Sequence, residues 1–359
     1  MKESDMQKTY KVAVDAMGGD HAPHVTVEGS VLAAREFGIP VILVGDEDRI
    51  RRELLRHEVE NLPLEIKHTS EVVEMDETPT TAIKKKRDSS LRIAFELVRD
   101  RQAHAVVSAG NSGAAMAAAL FVLRRLKGVE RPAINTVIPN IKGAVSLIDA
   151  GANPVCKPYH LVQFAIMGSV YMREVMMINE PRVGLLSNGE EESKGIDLTR
   201  EANELLKKSS LNYIGYVEGR DIYRGGVDVV VCDGFVGNII LKTSEGVFEV
   251  LAQALKEEIS KGYLSKLGYL LSKKSFSNFK KRFDYSEHGG APLLGVDGTV
   301  IISHGRSSSN AIKNAVRVAS ELVEREVIRH FLEHIEKNED LSRVGKKPSI
   351  FRKIFGTGS

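Results

Sequence analysis

The chain of 359 residues has no tryptophan and only two cysteines, Cys156 and Cys232. Two cysteines do not make the disulfide framework of a secreted scaffold. Neither lies in a CxxC or Cys/His cluster, which argues against a structural zinc site. No apolar run approaches a membrane span: the most apolar stretch, Ala114–Leu123, is about half the length a spanning helix needs. Residues Met1 to Lys11 are polar and charged, unlike a secretory signal. Neither sign of charge dominates, with 50 Lys and Arg against 48 Asp and Glu and a net charge of +2, so nothing in the composition calls for nucleic acid. Internal repeats and low-complexity linkers are also missing. What remains is a globular composition, 42% apolar and 27% charged, long enough for a large core in one α/β unit or two lobes. A cytoplasmic protein is expected, and any membrane contact is expected to be peripheral.

Short β-rich runs alternate with longer helical patterns, which predicts an α/β fold with a mostly parallel sheet and flanking crossover helices. Candidate strands fall at Lys11–Asp15, Val41–Val44, Leu64–Ile66, Ala105–Ser108, Ala133–Ile138, Ala144–Ile148, Arg182–Ser187, Tyr213–Val217, Val227–Cys232 and Thr299–Ser303. Helices are predicted at His24–Phe37, Ser89–Arg101, Ser112–Leu126, Tyr159–Glu174, Ile196–Lys208, Gly237–Ile259 and Ser308–Ile335. The organisation expected is an N-terminal extension over 1–10, an α/β domain over 11–335, and a charged tail over 336–359. Glu71–Arg87 reads as a polar bridge whose run Lys84-Lys85-Lys86-Arg87 is either a solvated face or a surface for an acidic partner.

Strand after strand ends in small polar residues. The endings are Asp15-Ala16-Met17-Gly18-Gly19-Asp20-His21, Ser108-Ala109-Gly110-Asn111-Ser112-Gly113, Asp149-Ala150-Gly151-Ala152-Asn153, Ser187-Asn188-Gly189-Glu190-Glu191 and Asp233-Gly234-Phe235-Val236-Gly237-Asn238. The carboxyl ends of parallel strands line one crevice, where ligands bind. Glycine lets backbone N–H groups approach a ligand, and a following helix N-terminus favours an anion. Any one of these loops also serves as a turn or helix cap; five together point to an anion site. No GxxxxGK followed by Ser or Thr is present, and no GxGxxG follows the first strand, so the anion is expected to be small, such as inorganic phosphate. Lys142, Lys194 and Arg306 are candidate cations or ordinary surface charges.

No GxSxG elbow offers a nucleophile, and Cys232 closes a buried strand, where a cysteine packs as a small hydrophobe. Direct attack of a bound oxyanion on a bound carbonyl needs proximity and oxyanion stabilisation rather than a protein nucleophile. His21 in the first glycine-rich loop and His304 at Ser303-His304-Gly305 are candidates to protonate a leaving group or bind phosphate, or else cap loops.

The segment Val12-Ala13-Val14-Asp15-Ala16-Met17-Gly18-Gly19-Asp20-His21-Ala22-Pro23 resembles the opening signature of the bacterial phosphate acyltransferases, the PlsX family. The similarity continues through the four later strand ends, Tyr285, Gly289-Gly290-Ala291-Pro292-Leu293-Leu294-Gly295 and Ser303-His304-Gly305. It therefore covers roughly Lys11 to Ile335. The signature starts later than is usual for the family, and Ser112 stands where the family often has Thr. The resemblance implies an isocitrate-dehydrogenase-like or phosphotransacetylase-like fold and a homodimer. It implies an acyltransferase of phospholipid synthesis that moves a long acyl chain from acyl carrier protein to inorganic phosphate. The products are acyl phosphate, bound for a downstream membrane glycerol-3-phosphate acyltransferase, and the free carrier protein.

On that reading Asp20, His21, Lys194 and Asn238 are expected to be catalytic. Phosphate is expected among Asp15, Gly18, Gly19, Asn111, Ser112, Gly113, Asn153, Ser187, Asn188, Gly189, Asp233, Gly234, Gly237 and His304. The chemistry requires no metal or organic cofactor. The insertion 260–284 gains a purpose: Lys261–Arg282 carries seven basic residues and no acidic one, interleaved with Leu264, Leu267, Leu271 and Phe276. A basic amphipathic helix of this kind lies in an anionic membrane interface or packs against a twin, and it is a candidate wall for the acyl chain. The rival readings are a short-chain phosphotransacetylase using coenzyme A, a decarboxylating NAD-dependent dehydrogenase, and a non-enzymatic membrane scaffold.

Overall fold

The computed structural model describes residues 10–283 and 289–338. Of the expected N-terminal extension only Tyr10 is among them; Tyr285 and residues 339–359 of the expected tail lie outside the described residues. The strands are β1 (Val12–Asp15), β2 (Val41–Gly45), β3 (Leu64–His68), β4 (Ala105–Ser108), β5 (Ala133–Asn140), β6 (Gly143–Ile148), β7 (Val183–Leu186), β8 (Tyr213–Val217), β9 (Val229–Val231), β10 (Ala291–Leu294) and β11 (Thr299–Ile302). The helices are α1 (His24–Phe37), α2 (Glu47–Leu54), α3 (Pro79–Lys85), α4 (Ser90–Arg99), α5 (Ser112–Ala118), α6 (Pro158–Glu174), α7 (Asp197–Leu206), α8 (Asp221–Arg224), α9 (Gly234–Lys261), α10 (Tyr263–Leu271), α11 (Lys273–Phe283), α12 (Ser309–Glu324) and α13 (Val327–Lys337).

The described chain divides into two compact units. The first comprises 10–125 with 238–283 and 289–326. Its strands run β3-β2-β1-β4-β11-β10, parallel except for the β10–β11 pair. Every residue of β1, β2, β4 and β11 is buried, and the unbroken apolar runs follow because strands covered on both faces never meet water. α1 packs along α12, while α4 covers β1 and β4. Helix starts follow side-chain capping: Asp46, Ser89, Asn111 and Ser308 each accept a backbone N–H from the first turn of α2, α4, α5 and α12.

The second unit comprises 126–237 with 327–338. Its strands run β5-β6-β9-β7-β8, and only the β5–β6 hairpin is antiparallel. α6 lies against β6 and β9, between α7 and α13. It is buried on nearly every face, as a helix apolar all round must be.

The mostly parallel α/β architecture expected from the sequence is present; some boundaries differ for local reasons. The predicted helix Ser112–Leu126 is α-helical only to Ala118, continues as one π-turn over Ala119–Leu123, and ends where Arg124 takes φ 71°. The predicted helix Ser308–Ile335 is two, because Glu326 adopts φ 49° between α12 and α13. α9 starts at Gly234 rather than Gly237, since Asp233 Oδ1 accepts the N–H groups of Phe235 and Val236. The polar bridge contains α3, and its Lys86 is not free: Nζ donates to Val72 O at 2.6 Å and pairs with Glu77.

Arg182 and Asp228 fasten β7 to the start of β9. Arg182 donates from Nε to Oδ2 at 2.8 Å and from Nη2 to Oδ1 at 2.9 Å, and its backbone N–H also reaches Oδ2. Burial works against the charged carboxyl, but the hydrogen bonds and charge of Arg182 prevail and hold Asp228 below the usual carboxylate range. Asp228→Asn is expected to lose about 1–3 kcal/mol in urea denaturation at neutral pH. The folded-state pKa lies below the unfolded one, so this stabilisation is present above the ordinary Asp value of about 3.9 and disappears as pH falls through the folded value. Wild-type and variant midpoints should therefore converge in acid; a constant gap would show that charge is not the cause.

Candidate active site

In the first unit β1, β4 and β11 are parallel neighbours, so their carboxyl ends open on one edge. Three turns meet there. A Cβ on Gly18 would lie 2.9 Å from the Gly110 nitrogen, and one on Gly19 would lie 3.2 Å from both Ala109 O and Gly305 O. Gly19 also takes φ 115°, which side-chain-bearing residues rarely adopt. Asp20 N–H donates to Gly305 O at 2.9 Å and ties the first turn to the third. Between the turns is a recess of about 10 Å³ lined by Gly18, Gly19, His21, Ala109, Gly305 and Ser307, room for a single oxygen-sized group.

Asp15 lies beneath these turns, not in the recess. Its side chain is buried; Oδ2 accepts from Ser108 Oγ at 2.8 Å, and Oδ1 has no hydrogen-bond partner. Burial pushes its carboxyl up, against the pull of the Ser90 and Ser108 hydroxyls. In this position Asp15 braces the turns that carry Gly18 and Gly110. Asn111 is engaged locally: Oδ1 caps α5 through Ala114 N–H, and Nδ2 donates to Met75 O and Glu77 O. Ser112 and Gly113 are exposed in the first turn of α5, and Asp20, His21 and His304 are exposed on the turns. His304 Nδ1 accepts from Arg306 N–H at 3.3 Å, and its Nε2 lies 3.4 Å from Lys242 Nζ.

In the second unit the carboxyl ends of β6, β9 and β7 likewise share an edge. Here the organising group is Asp149, a residue quoted within its motif but not expected to act. It is fully buried. Oδ1 accepts from the N–H groups of Ile134, Gly151 and Ala152, and Oδ2 from the N–H and Nδ2 of Asn153, all between 2.7 and 3.1 Å. Burial pushes the Asp149 carboxyl up, while the N–H groups of Ala152, Ile134 and Gly151 and the Asn153 amide pull it down. Asn153 Nδ2 also donates to Pro132 O at 2.7 Å.

The turn after β9 packs onto this knot. Gly234 N–H donates to Asn153 O at 2.8 Å, and a Cβ on Gly237 would fall 1.9 Å from Asp149 O. Gly234 and Gly237 are therefore required by close backbone packing, and Asp233 by helix capping. In the turn after β7, Asn188 Oδ1 accepts from Gly195 N–H at 3.0 Å, Ser187 Oγ leans on Asn188, and Gly189 is buried against Lys194. Lys194 itself is exposed, as is Asn238 on α9.

Neither thiol is primed as a nucleophile. Burial pushes Cys156 up to about 12, with the charges of Asp149 and Asp233 adding to the effect, and the buried Cys232 is raised for the same reasons. Among the described residues no three His, Cys, Asp or Glu side chains cluster as a metal site would.

The mostly parallel α/β fold is that of the phosphotransacetylases among solved structures. A phosphotransacetylase from Streptococcus pyogenes matches it with a TM-score of 0.58, covering 88% of this chain and 95% of that one; at 18% identity the likeness concerns the fold alone. Residues 10–330 match the model of the family described as fatty acid synthesis protein. The phosphate acyltransferase of Geotalea uraniireducens (strain Rf4) is 60% identical over 92% of this chain and 96% of its own length; that of Geotalea daltonii is 58% identical with the same coverage. The chain belongs to this fatty acid synthesis protein family, the bacterial phosphate acyltransferases, and is an enzyme of the transferase class.

Gly237→Ala is expected to destabilise the fold by about 3 kcal/mol, because the methyl meets a fixed backbone carbonyl rather than a movable side chain. Thermal unfolding checks this; an unchanged Tm would mean that α9 does not depend on the Asp149 turn.

Proposed function

We propose that this enzyme transfers a long acyl chain from acyl carrier protein to inorganic phosphate, releasing acyl phosphate and the free carrier protein. The observation that carries the reading is family membership over nearly the whole chain, with relatives named for phosphate acyl transfer. The geometry supports it in two ways: each unit gathers three glycine-rich strand ends on one edge, and the thiols are held protonated. A phosphate oxygen attacks the thioester carbonyl carbon, the C–O bond forms, and the C–S bond then breaks. The electron pair leaves on sulfur, which takes a proton from an imidazole such as His21. Within the first unit Asn238 and the Gly18–Gly19 turn orient phosphate, and in the second unit the exposed Lys194 is the cation beside the turn after β7.

The carrier protein is acidic, so it docks on exposed cations. Lys84, Lys85 and Arg87 remain available once Lys86 is withdrawn by Glu77, and Lys84 Nζ sits 5.3 Å from the ring centre of the exposed Phe121. The insertion is two helices, broken at Ser272, instead of one. α10 exposes Leu264, Leu267 and Leu271 beside Lys266. Phe276 differs from the expectation: it is half-buried, its ring 5.1 Å from that of Tyr269. These helices form the anionic-membrane contact or the homodimer face, close to where a downstream membrane glycerol-3-phosphate acyltransferase takes up product. No helix among the described residues is long and apolar enough to cross a membrane.

Purified protein incubated with palmitoyl carrier protein should consume thioester only when phosphate is added, and mass analysis should find palmitoyl phosphate. Turnover of acetyl-coenzyme A in preference would instead make it a short-chain phosphotransacetylase. Lys194→Ala should lower kcat/KM by roughly 10-fold or more, and KM for the carrier thioester should rise with salt. Leu267→Glu should weaken sedimentation with anionic liposomes while leaving solution turnover intact; unchanged sedimentation would assign α10 to the twin.

A further inference from the structure

Lys242 has no role in the reaction as derived above. It stands on α9 one turn beyond Asn238, so the two share a helix face. Its Nζ meets His304 Nε2 at 3.4 Å across 62 positions of sequence, and it also pairs with Glu245 at 2.7 Å. The other nitrogen of that imidazole, Nδ1, faces the Arg306 backbone N–H at 3.3 Å.

A neutral imidazole has one donor and one acceptor nitrogen. If Nδ1 accepts from Arg306, then Nε2 carries the hydrogen and points it at an ammonium. If Nε2 accepts from Lys242, then Nδ1–H is set against the Arg306 N–H. Either tautomer leaves two donors facing one another, and protonation of the ring adds a second cation. An anionic oxygen held between Lys242 and His304 removes the conflict by accepting from both. The surroundings favour that sign of charge. Arg306 is exposed two residues on, and the 16-residue helix α12 begins at Ser309 with its N-terminus on the same turn. The carboxylates nearby are Glu245 on Lys242, Asp20 against Gly305, and Glu28 on Ser309.

We infer that Lys242 and His304 form a two-pronged grip for an oxygen of inorganic phosphate at the rim of the first unit. This rests on the acyl-transfer reading only for the identity of the anion. In that role Lys242 touches substrate, and Glu245 holds the ammonium in place until phosphate competes for it.

The grip is tested by calorimetric titration of inorganic phosphate into the full-length protein, which needs no turnover, and by steady-state kinetics with palmitoyl carrier protein. Lys242→Met and His304→Ala should each weaken phosphate binding and raise KM for phosphate by roughly tenfold, the loss of one charge-assisted hydrogen bond. KM for the carrier thioester should stay within about twofold, and Lys242→Arg should restore most of the phosphate affinity. Phosphate binding by Lys242→Met equal to that of wild type would overturn the inference, as would a wild type that binds no phosphate at millimolar concentration. If circular dichroism shows Lys242→Met to be unfolded, Glu245→Gln decides: freeing the ammonium should tighten phosphate binding, and unchanged or weaker binding sinks the grip. A wild type that binds phosphate through Lys242 yet leaves the thioester intact would refute the acyl-transfer reading and leave the grip standing.

Discussion

The structure depends on a carboxylate buried at the end of a parallel strand. Asp149 follows β6 with no exposure to water and gathers five N–H groups around two oxygens. Removing an ion from water costs several kcal/mol, and charge-assisted hydrogen bonds in good geometry offset that cost. The return is shape. The chain turns sharply over 149–153, fixes Asn153 and Pro132, and presents Asp149 O and Asn153 O to the glycines that open α9. The entry angle of the first turn of α9, Gly234–Gly237, follows from this one acid.

The same logic explains why the turn after β6 is not itself an anion cradle. Its backbone N–H groups at 151, 152 and 153 point inward to Asp149, and a donor satisfied by an internal carboxylate is not offered to a ligand. Asp15 ends β1 in the corresponding way but has fewer partners, the Ser108 hydroxyl among them, and one bare oxygen. The turns above it approach through glycine backbone and leave an oxygen-sized gap. On the proposed reading, the anion-binding capacity of the first unit lies in this recess and in the cations Lys242 and Arg306.

The fold was legible because its signals are local. Val12–Val14 and Val229–Val231 are apolar runs that only doubly covered strands tolerate, and the strand-end pattern follows from the direction of parallel strands. Individual roles were less legible because Asn and Asp do two jobs with the same atoms. Asn111 and Asp233 have the composition of ligands and the geometry of caps, and nothing at their own positions separates these uses. Gly234 and Gly237 suggest ligand approach but serve helix-to-turn packing. Lys242 was invisible for another reason: its partner His304 lies 62 residues away, and no local spacing encodes that meeting. The break at Ser272 and the π-turn at Ala119–Leu123 also depend on tertiary context that helical periodicity does not carry.

The state of the cysteines constrains the chemistry as strongly as the turns do. A covalent route would need a thiolate or an activated hydroxyl to take the acyl group first. Cys232 and Cys156 lie beside Asp149 and Asp233, whose charges oppose thiolate formation in addition to burial. The acid that shapes the rim thus also silences the thiols next to it. On the proposed reading the attacking oxygen must come from bound phosphate, and the catalytic demand shifts from making a nucleophile to holding one. Such a demand is met by donors fixed before substrate arrives. On that reading the rim of the first unit, with its turns set over the buried Asp15 and its cations on helix α9 and on the turn after β11, meets it with ordinary side chains.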